Sequence, residues 1–316
     1  MSRAAALAVV LIGVGAAAAP PGPPGRGPVP TPTVVDPAAR LAAVAGGDDA
    51  RAAILVGPAG QIYSPDGHGA WLRTHAGGVG DAVVVATRTD AGVLAGADGA
   101  PPYRFDGSAW EAIYLAMHAK AVVARGRRPV AAVGRQVFAL DRAEPQRLPD
   151  APGAVTAIGA SAAGVAIATD RGVARLDGKA WRTLDGAPRR VVALASERWA
   201  IGVDGATDLA SSTTTAWPRG VEVTAFVAAD DGLLAAAATP SGVDLFSIHA
   251  GKLAREAVPV APSGTPVGLA TDKDHRVVLA LRDGRVLVRD HDKWTTIEVR
   301  DELPVAKPGA GAATAK

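Results

Sequence analysis

Five of the six tryptophans mark a regular interval along this chain. Trp71, Trp110, Trp181, Trp217 and Trp294 are separated by 39, 71, 36 and 77 residues, so the two long gaps are close to twice the short ones. Pro145 and Ala254 fill the two missing places, because Leu148 and Arg255 align with residues that follow tryptophan elsewhere. Seven slots result, 35 to 40 residues apart. The surrounding segments agree: Gly172 to Trp181 aligns with Pro101 to Trp110, and both align with Gly284 to Trp294 after one extra residue. A fixed period of this size means that each unit is one supersecondary element, which buries its apolar face only against its neighbours.

Each unit reads as four short strands. In the fourth, Val155–Gly159, Gly164–Ala168, Val173–Leu176 and Trp181–Leu184 are apolar runs separated by turns. Asp-Gly pairs supply many of the turns, at Asp98-Gly99, Asp204-Gly205 and Asp283-Gly284 between second and third runs, and at Asp66-Gly67, Asp106-Gly107 and Asp177-Gly178 between third and fourth. This pair is a strong hairpin signal, because glycine takes positive φ without strain. Four antiparallel strands per 35 to 40 residues describe a β-propeller blade. The expectation is therefore an all-β, seven-bladed β-propeller of four-stranded antiparallel blades spanning residues 39–304. A β-sandwich would not repeat seven times, and a β-helix has shorter coils. First strands crowd around the axis and favour small residues, here Ala42, Ala43, Ala121, Ala157, Ala193 and Ala225. Tryptophans on fourth strands can pack blade on blade at the wider rim.

Composition sharpens this picture. The chain holds 70 Ala, 37 Gly and 24 Pro in 316 residues, with no Cys and no Asn. Lacking cysteine, it has no disulfides, zinc-thiolate sites, iron–sulfur clusters or thiol nucleophiles. Lacking asparagine, it has no N-glycosylation and must build its turns on Asp-Gly. Between Asp36 and Glu302, 31 acidic residues face 29 basic ones. That near balance disfavours nucleic acid as a partner.

The ends differ from the body. Met1-Ser2-Arg3 is followed by an uncharged run from Ala4 to Ala19 that closes on four alanines. This is the layout of a secretory signal peptide at 1–18, with an uncleaved anchor as the alternative. Residues 19–38 form a Pro-rich linker, and 305–316 a disordered Ala/Gly/Lys tail. Export to a periplasm or the cell exterior follows, with no integral membrane span.

The segment Ser64-Pro65-Asp66-Gly67-His68-Gly69-Ala70-Trp71 resembles the Asp-box, or BNR, repeat of sialidase-like propellers. Ser64, Asp66 and Trp71 match its spacing, while His68 stands at the central glycine and Ala70 at the threonine. The other units keep Asp-Gly and Trp without the serine, and are more similar to the repeats of two-component-regulator sensor propellers. The resemblance implies a bacterial exported propeller; its motif is structural and carries no activity.

No catalytic set, cofactor site or metal site concentrates anywhere in the sequence. Asp230-Asp231 and Asp272-Lys273-Asp274-His275 could suit a hard cation, but they lack the full Asp-x-Asp-x-Asp-Gly pattern and read as hairpin turns. The best candidates for binding are the residues preceding each first strand, since loops converge at a propeller's channel mouth. These are Arg40, Asp81, Lys120, Ala154, Arg190, Glu222 and Thr265 or Pro266, with His118 and Arg189 beside them, and the charged ones with the histidine are the candidates. Arg125, Arg127 and Arg128 form a basic turn on the opposite face. The function expected is a monomeric, non-catalytic exported propeller that binds a protein or other ligand at its face, or scaffolds a cell-envelope assembly. The alternative is a propeller lyase or hydrolase using Asp81 and Glu222 with Lys120 or Arg190.

Overall fold

The computed structural model describes residues 41–301, apart from 47–51, 80–82, 90–91, 98–99, 116–121, 125–127, 143, 189, 230, 261–263 and 273–275. The expected signal segment, linker and tail lie outside the described residues. Every regular element among those described is a β-strand, and there are 28 of them. Within each repeat four strands follow one another in an antiparallel meander, in chain order.

Five sheets are separate four-stranded blades, the second to sixth repeats. The first and seventh repeats are not separate. Their eight strands form one continuous sheet, in which Glu298, Val299 and Arg300 pair in parallel with Ala70, Trp71 and Leu72. The expected seven separate sheets are thus five blades and one merged sheet. The physical reason is strand length. The last strand, Lys293–Arg300, is eight residues long, whereas its antiparallel partner, Val286–Asp290, uses only Lys293 to Ile297. The overrun is free to join the outer strand of the first repeat, Ala70–His75.

First strands of neighbouring sheets pack side by side around an axis, and that of the seventh repeat, Pro266–Thr271, packs on that of the first, Ala43–Ala45. The arrangement is a propeller. Its core is divided among the blade interfaces. One buried cluster joins Ile54, Val56 and Ile62 to Val83, Val93 and Phe105 across the first and second repeats. Another joins Leu55, Tyr63 and Trp71 to Val278, Val286 and Val299 across the first and seventh. Each such aliphatic side chain contributes about 1.5–3 kcal/mol by leaving water.

Small residues occupy the crowded inner strands as expected. Ala43, Ala157, Ala193 and Ala225 are all buried there. Ala121 lies outside the described residues. Two glycines show how close the blades come. A Cβ on Gly159 would collide with the backbone carbonyl of Ser196 in the next repeat, and one on Gly268 would sit 2.5 Å from the backbone nitrogen of Val44.

Three of the tryptophans clamp their blade to the one before. Trp110 Nε1 donates to the Gly60 carbonyl (2.6 Å), Trp181 Nε1 to that of Pro149 (2.8 Å) and Trp294 Nε1 to Glu256 Oε1 (2.6 Å), each in the preceding repeat. Trp217 instead donates to Gly202 in its own repeat (3.2 Å). The Asp-box-like turns are held by their aspartates. Asp66 Oδ1 accepts from the backbone N–H of His68 and Ala70 (2.7 and 3.0 Å), and Asp106 Oδ1 from those of Ser108 and Ala109 (2.7 and 3.0 Å). His291, which stands where other repeats have Asp-Gly, itself adopts positive φ (54°).

Candidate functional site

The axis encloses a cavity of about 580 Å³. Its walls are first strands of the first, second, fifth, sixth and seventh repeats, together with the turn after the first strand of the fourth (Ser161, Ala162 and Ala163). Those walls carry few large side chains, so the space left by alanines along the axis is the cavity itself. Its polar groups come mostly from the far ends of the first strands and the turns that follow them: Arg88, Ser161, Ser196, Glu197, Arg198 and Thr271.

Most of these groups are committed to local bonds. Arg88 Nη1 donates to the Ala52 carbonyl. Ser161 Oγ accepts from the Ala163 N–H (3.0 Å), and Ser196 Oγ from that of Arg198 (3.3 Å). Arg198 forks onto Asp208, with Nη2 2.9 Å from Oδ2, and its guanidinium lies 5.4 Å from the centre of the Trp199 ring. Burial disfavours ionisation of Asp208, but Arg198 and the Ala210 N–H outweigh it and hold the carboxyl below its usual range. Glu197 differs. Its Oε2 is buried and has no hydrogen-bond partner.

At the other end of the first strands a different feature recurs. Five of them carry a one-residue bulge at the second or third position, at Val84, Thr156, Val192, Thr224 and Val267. A bulge leaves one residue unpaired and re-aims its side chain. All five are β-branched. Val84 and Val192 are 53% and 61% exposed, Thr156 and Thr224 are exposed, and Val267 is half-buried.

Of the residues expected at the channel mouth, Arg190 and Glu222 are exposed beside these bulges. Neither lines the cavity. Arg40, Asp81, His118, Lys120 and Arg189 lie outside the described residues. So do Arg125 and Arg127 of the basic turn, while Arg128 is half-buried. Asp272 is buried and bonded to Arg276 through the latter's backbone N–H (3.0 Å) and guanidinium (2.7 and 2.8 Å). Among the described residues no three acidic or histidine side chains cluster as a metal site would require. Sequence reasoning passed over Arg88, Glu197 and Arg198. The available signal was a charged residue in first strands and turns otherwise built of Val, Ala, Ser and Gly.

No protein family and no curated protein matches this chain. Solved structures do match it. The WD40 β-propeller domain of Doa1 superposes with a TM-score of 0.58 at 13% identity, covering 82% of this chain and 95% of that one. YCF48 bound to D1 peptide gives 0.56 at 12%, covering 81% and 94%. Streptogramin B lyase gives 0.58 at 11%, covering 79% and 93%. The shared feature is the propeller fold. At these identities nothing about activity follows, and the three include both a peptide complex and a lyase. No helix among the described residues is long and apolar enough to cross a membrane.

Proposed function

We propose that this chain is an exported, non-catalytic β-propeller that binds a partner protein on the face where its first strands begin. The observation that carries the reading is the recurrence of the bulge. Five inner strands depart from regular pairing near their start, each at a β-branched residue. Exposed Val84 and Val192 supply apolar contact area. Arg190 and Glu222 flank them with charge of both signs, and Arg40, Asp81, His118, Lys120 and Arg189 belong to the same rim by sequence position. An apolar centre with a polar border is the anatomy of a protein interface. YCF48 bound to D1 peptide is one structural neighbour that supports a binding role.

The ring is proposed to have seven blades, the merged sheet counting as two. Among the described residues, seven buried clusters each bridge consecutive repeats, including the seventh and first. Export rests on the signal-like start of the chain.

The test is affinity capture from the envelope fraction of the native host, comparing the wild type with a Val84→Glu, Val192→Glu double variant of unchanged melting temperature. A partner retained by the wild type and lost by the variant is expected. Equal retention by both would remove the site from this rim, and no retained partner would remove the binding role. Amino-terminal sequencing of the mature chain checks export, with Ala19 as the expected first residue.

A further inference from the structure

We propose that the outer strands of the fourth repeat hold an oxyanion, a phosphate group either free or esterified, between Arg175 and Arg182. The site lies on third and fourth strands. It shares no residue with the rim assigned above to a protein partner, so the two sites stand or fall separately.

Three observations converge. First, strand register places the two arginines together. Arg175 on Gly172–Asp177 and Arg182 on Ala180–Thr183 are direct cross-strand partners. Their Cβ atoms are about 4.5–5.5 Å apart on one face of the sheet, an arrangement in which like charges repel. Second, nothing offsets that repulsion. Among the described residues, neither guanidinium takes part in a hydrogen bond or an ion pair, and Arg175 Nε is buried without a partner. Asp177, two residues along the same strand, and Glu197, which packs toward Gly164 of this blade, bond to neither. Third, other repeats compensate the same positions. Arg104 aligns with Arg175, but it faces Glu111, and its Nη2 donates to the Leu140 carbonyl (2.7 Å). Arg255 aligns with Arg182, but it faces Phe246, and its Nη2 lies 2.7 Å from Asp244 Oδ2. An anion between Arg175 and Arg182 would supply the compensation that the fourth repeat lacks.

The neighbouring blade adds hydroxyl groups. Ala166 is the register partner of Arg175 on the second strand, and it packs with Ala168 against Leu194 and Ala200 of the fifth repeat. The arginines therefore project on the side of their blade that meets the fifth repeat. The facing row of that repeat runs from Leu194 and Ala200 to Thr207 and Thr214, successive register partners. Thr214 is exposed, and its Oγ1 shares a hydrogen bond with Thr207 Oγ1 (2.9 Å). One side thus supplies two cations, and the other a row without a carboxylate. Each planar guanidinium can grip two oxygens, so a pair of them suits a tetrahedral oxyanion better than a single carboxylate. The phosphate could arrive as a free ion or as an ester on a larger molecule, and the probes below separate these sources.

The experiment is calorimetric titration of the full chain, at physiological ionic strength, with inorganic phosphate, with glycerol 3-phosphate and with acetate. Saturable binding of phosphate, of the ester or of both is expected, with acetate far weaker. Phosphate alone would assign a free ion, and the ester, alone or as well, a phosphorylated molecule. Arg182→Glu sets a carboxylate opposite Arg175, as Glu111 stands opposite Arg104. It should abolish binding, at a melting temperature in phosphate-free buffer no lower than that of the wild type. Should that variant fold poorly, Arg182→Gln at the same exposed position should weaken binding about tenfold or more. Arg219→Gln, which removes an exposed arginine outside these strands, should leave binding unchanged. The proposal is overturned if neither phosphate nor its ester binds the wild type, if acetate binds as tightly as phosphate, or if the Arg182 variants bind as tightly as the original.

Discussion

Tyr63 Oη donates a 3.0 Å hydrogen bond to Asp301 Oδ1, joining residues 238 positions apart in the chain. Arg73 approaches the same carboxylate oxygen at 3.1 Å. These contacts lie where the last strand meets the first repeat, beside the parallel pairing of Val299 with Trp71. The seam is thus held by backbone pairing and by a polar clasp. Tyr63→Phe removes the donor from a buried position, and a loss of about 1–2 kcal/mol in chemical denaturation is expected. Deleting residues 298–316 should cost more, because the backbone pairing and the burial of Val299 are lost as well.

The same tyrosine gives an alkaline signature. Burial first, and the bond to Asp301 second, push its hydroxyl well above the usual range. The neutral form is the one that fits the fold. Its contribution is therefore complete below the unfolded tyrosine pKa of about 10 and declines as pH rises beyond it. Melting temperature measured from pH 9 upward should fall less steeply in Tyr63→Phe than in the wild type. Parallel curves would exclude the clasp as the cause.

An acid signature should come from Asp106. Three hydrogen bonds onto Oδ1, from the N–H groups of Ala109 and Ser108 and the Ser108 hydroxyl, bring its carboxyl down to about 2. A depressed carboxylate stabilises the fold above the unfolded value of about 3.9 and ceases to do so as pH falls toward 2. The difference in melting temperature between wild type and Asp106→Asn should shrink across that window.

Gly159 tests the spacing of the blades. Alanine there must displace the Ser196 backbone, so Gly159→Ala should destabilise by about 1–3 kcal/mol. Gly178→Ala is the matched comparison. Unlike Gly159 it has positive φ (57°), but it meets no atom within 4 Å, and about 1 kcal/mol is expected from conformation alone. Equal losses would mean that the approach of the fourth and fifth blades is soft.

The tryptophan clamps should be separable from tryptophan burial. Trp110→Phe retains an aromatic ring beside Phe105 but loses the bond to the Gly60 carbonyl. A loss of about 0.5–1.5 kcal/mol is expected. Trp217→Phe, whose bond stays inside one repeat, should affect cooperativity between blades less, as read from the width of the unfolding transition.

The period, the four-strand unit and many of the turns were legible because they depend on local chemistry. Tryptophans recur on outer strands, and Asp66 and Asp106 close their turns through their own side chains. The seam was not legible. Glu298-Val299-Arg300 reads as the ordinary end of a strand, and nothing local shows that its open edge meets Trp71. Nor were the bulges. Val83-Val84-Val85 is apolar at all three positions, so the alternation that would reveal an extra residue is hidden. Trp199 falls off the tryptophan period on a second strand, and its neighbours Glu197 and Arg198 were overlooked with it. The charged residues that stand out in the sequence precede the first strands, whereas the cavity takes its polar groups mostly from their far ends.

The meeting of Val299 with Trp71 also acts as a tally. An open solenoid can gain or lose a unit and merely change length. Here the overrun of the last strand finds its partner only if the accumulated rotation of all preceding units brings it back to the start. A duplicated or deleted unit would leave that edge facing water and the clasp at Tyr63 unmade. Unit number in this chain can therefore change only together with the angle between blades, and gradual growth by single duplications is closed to it.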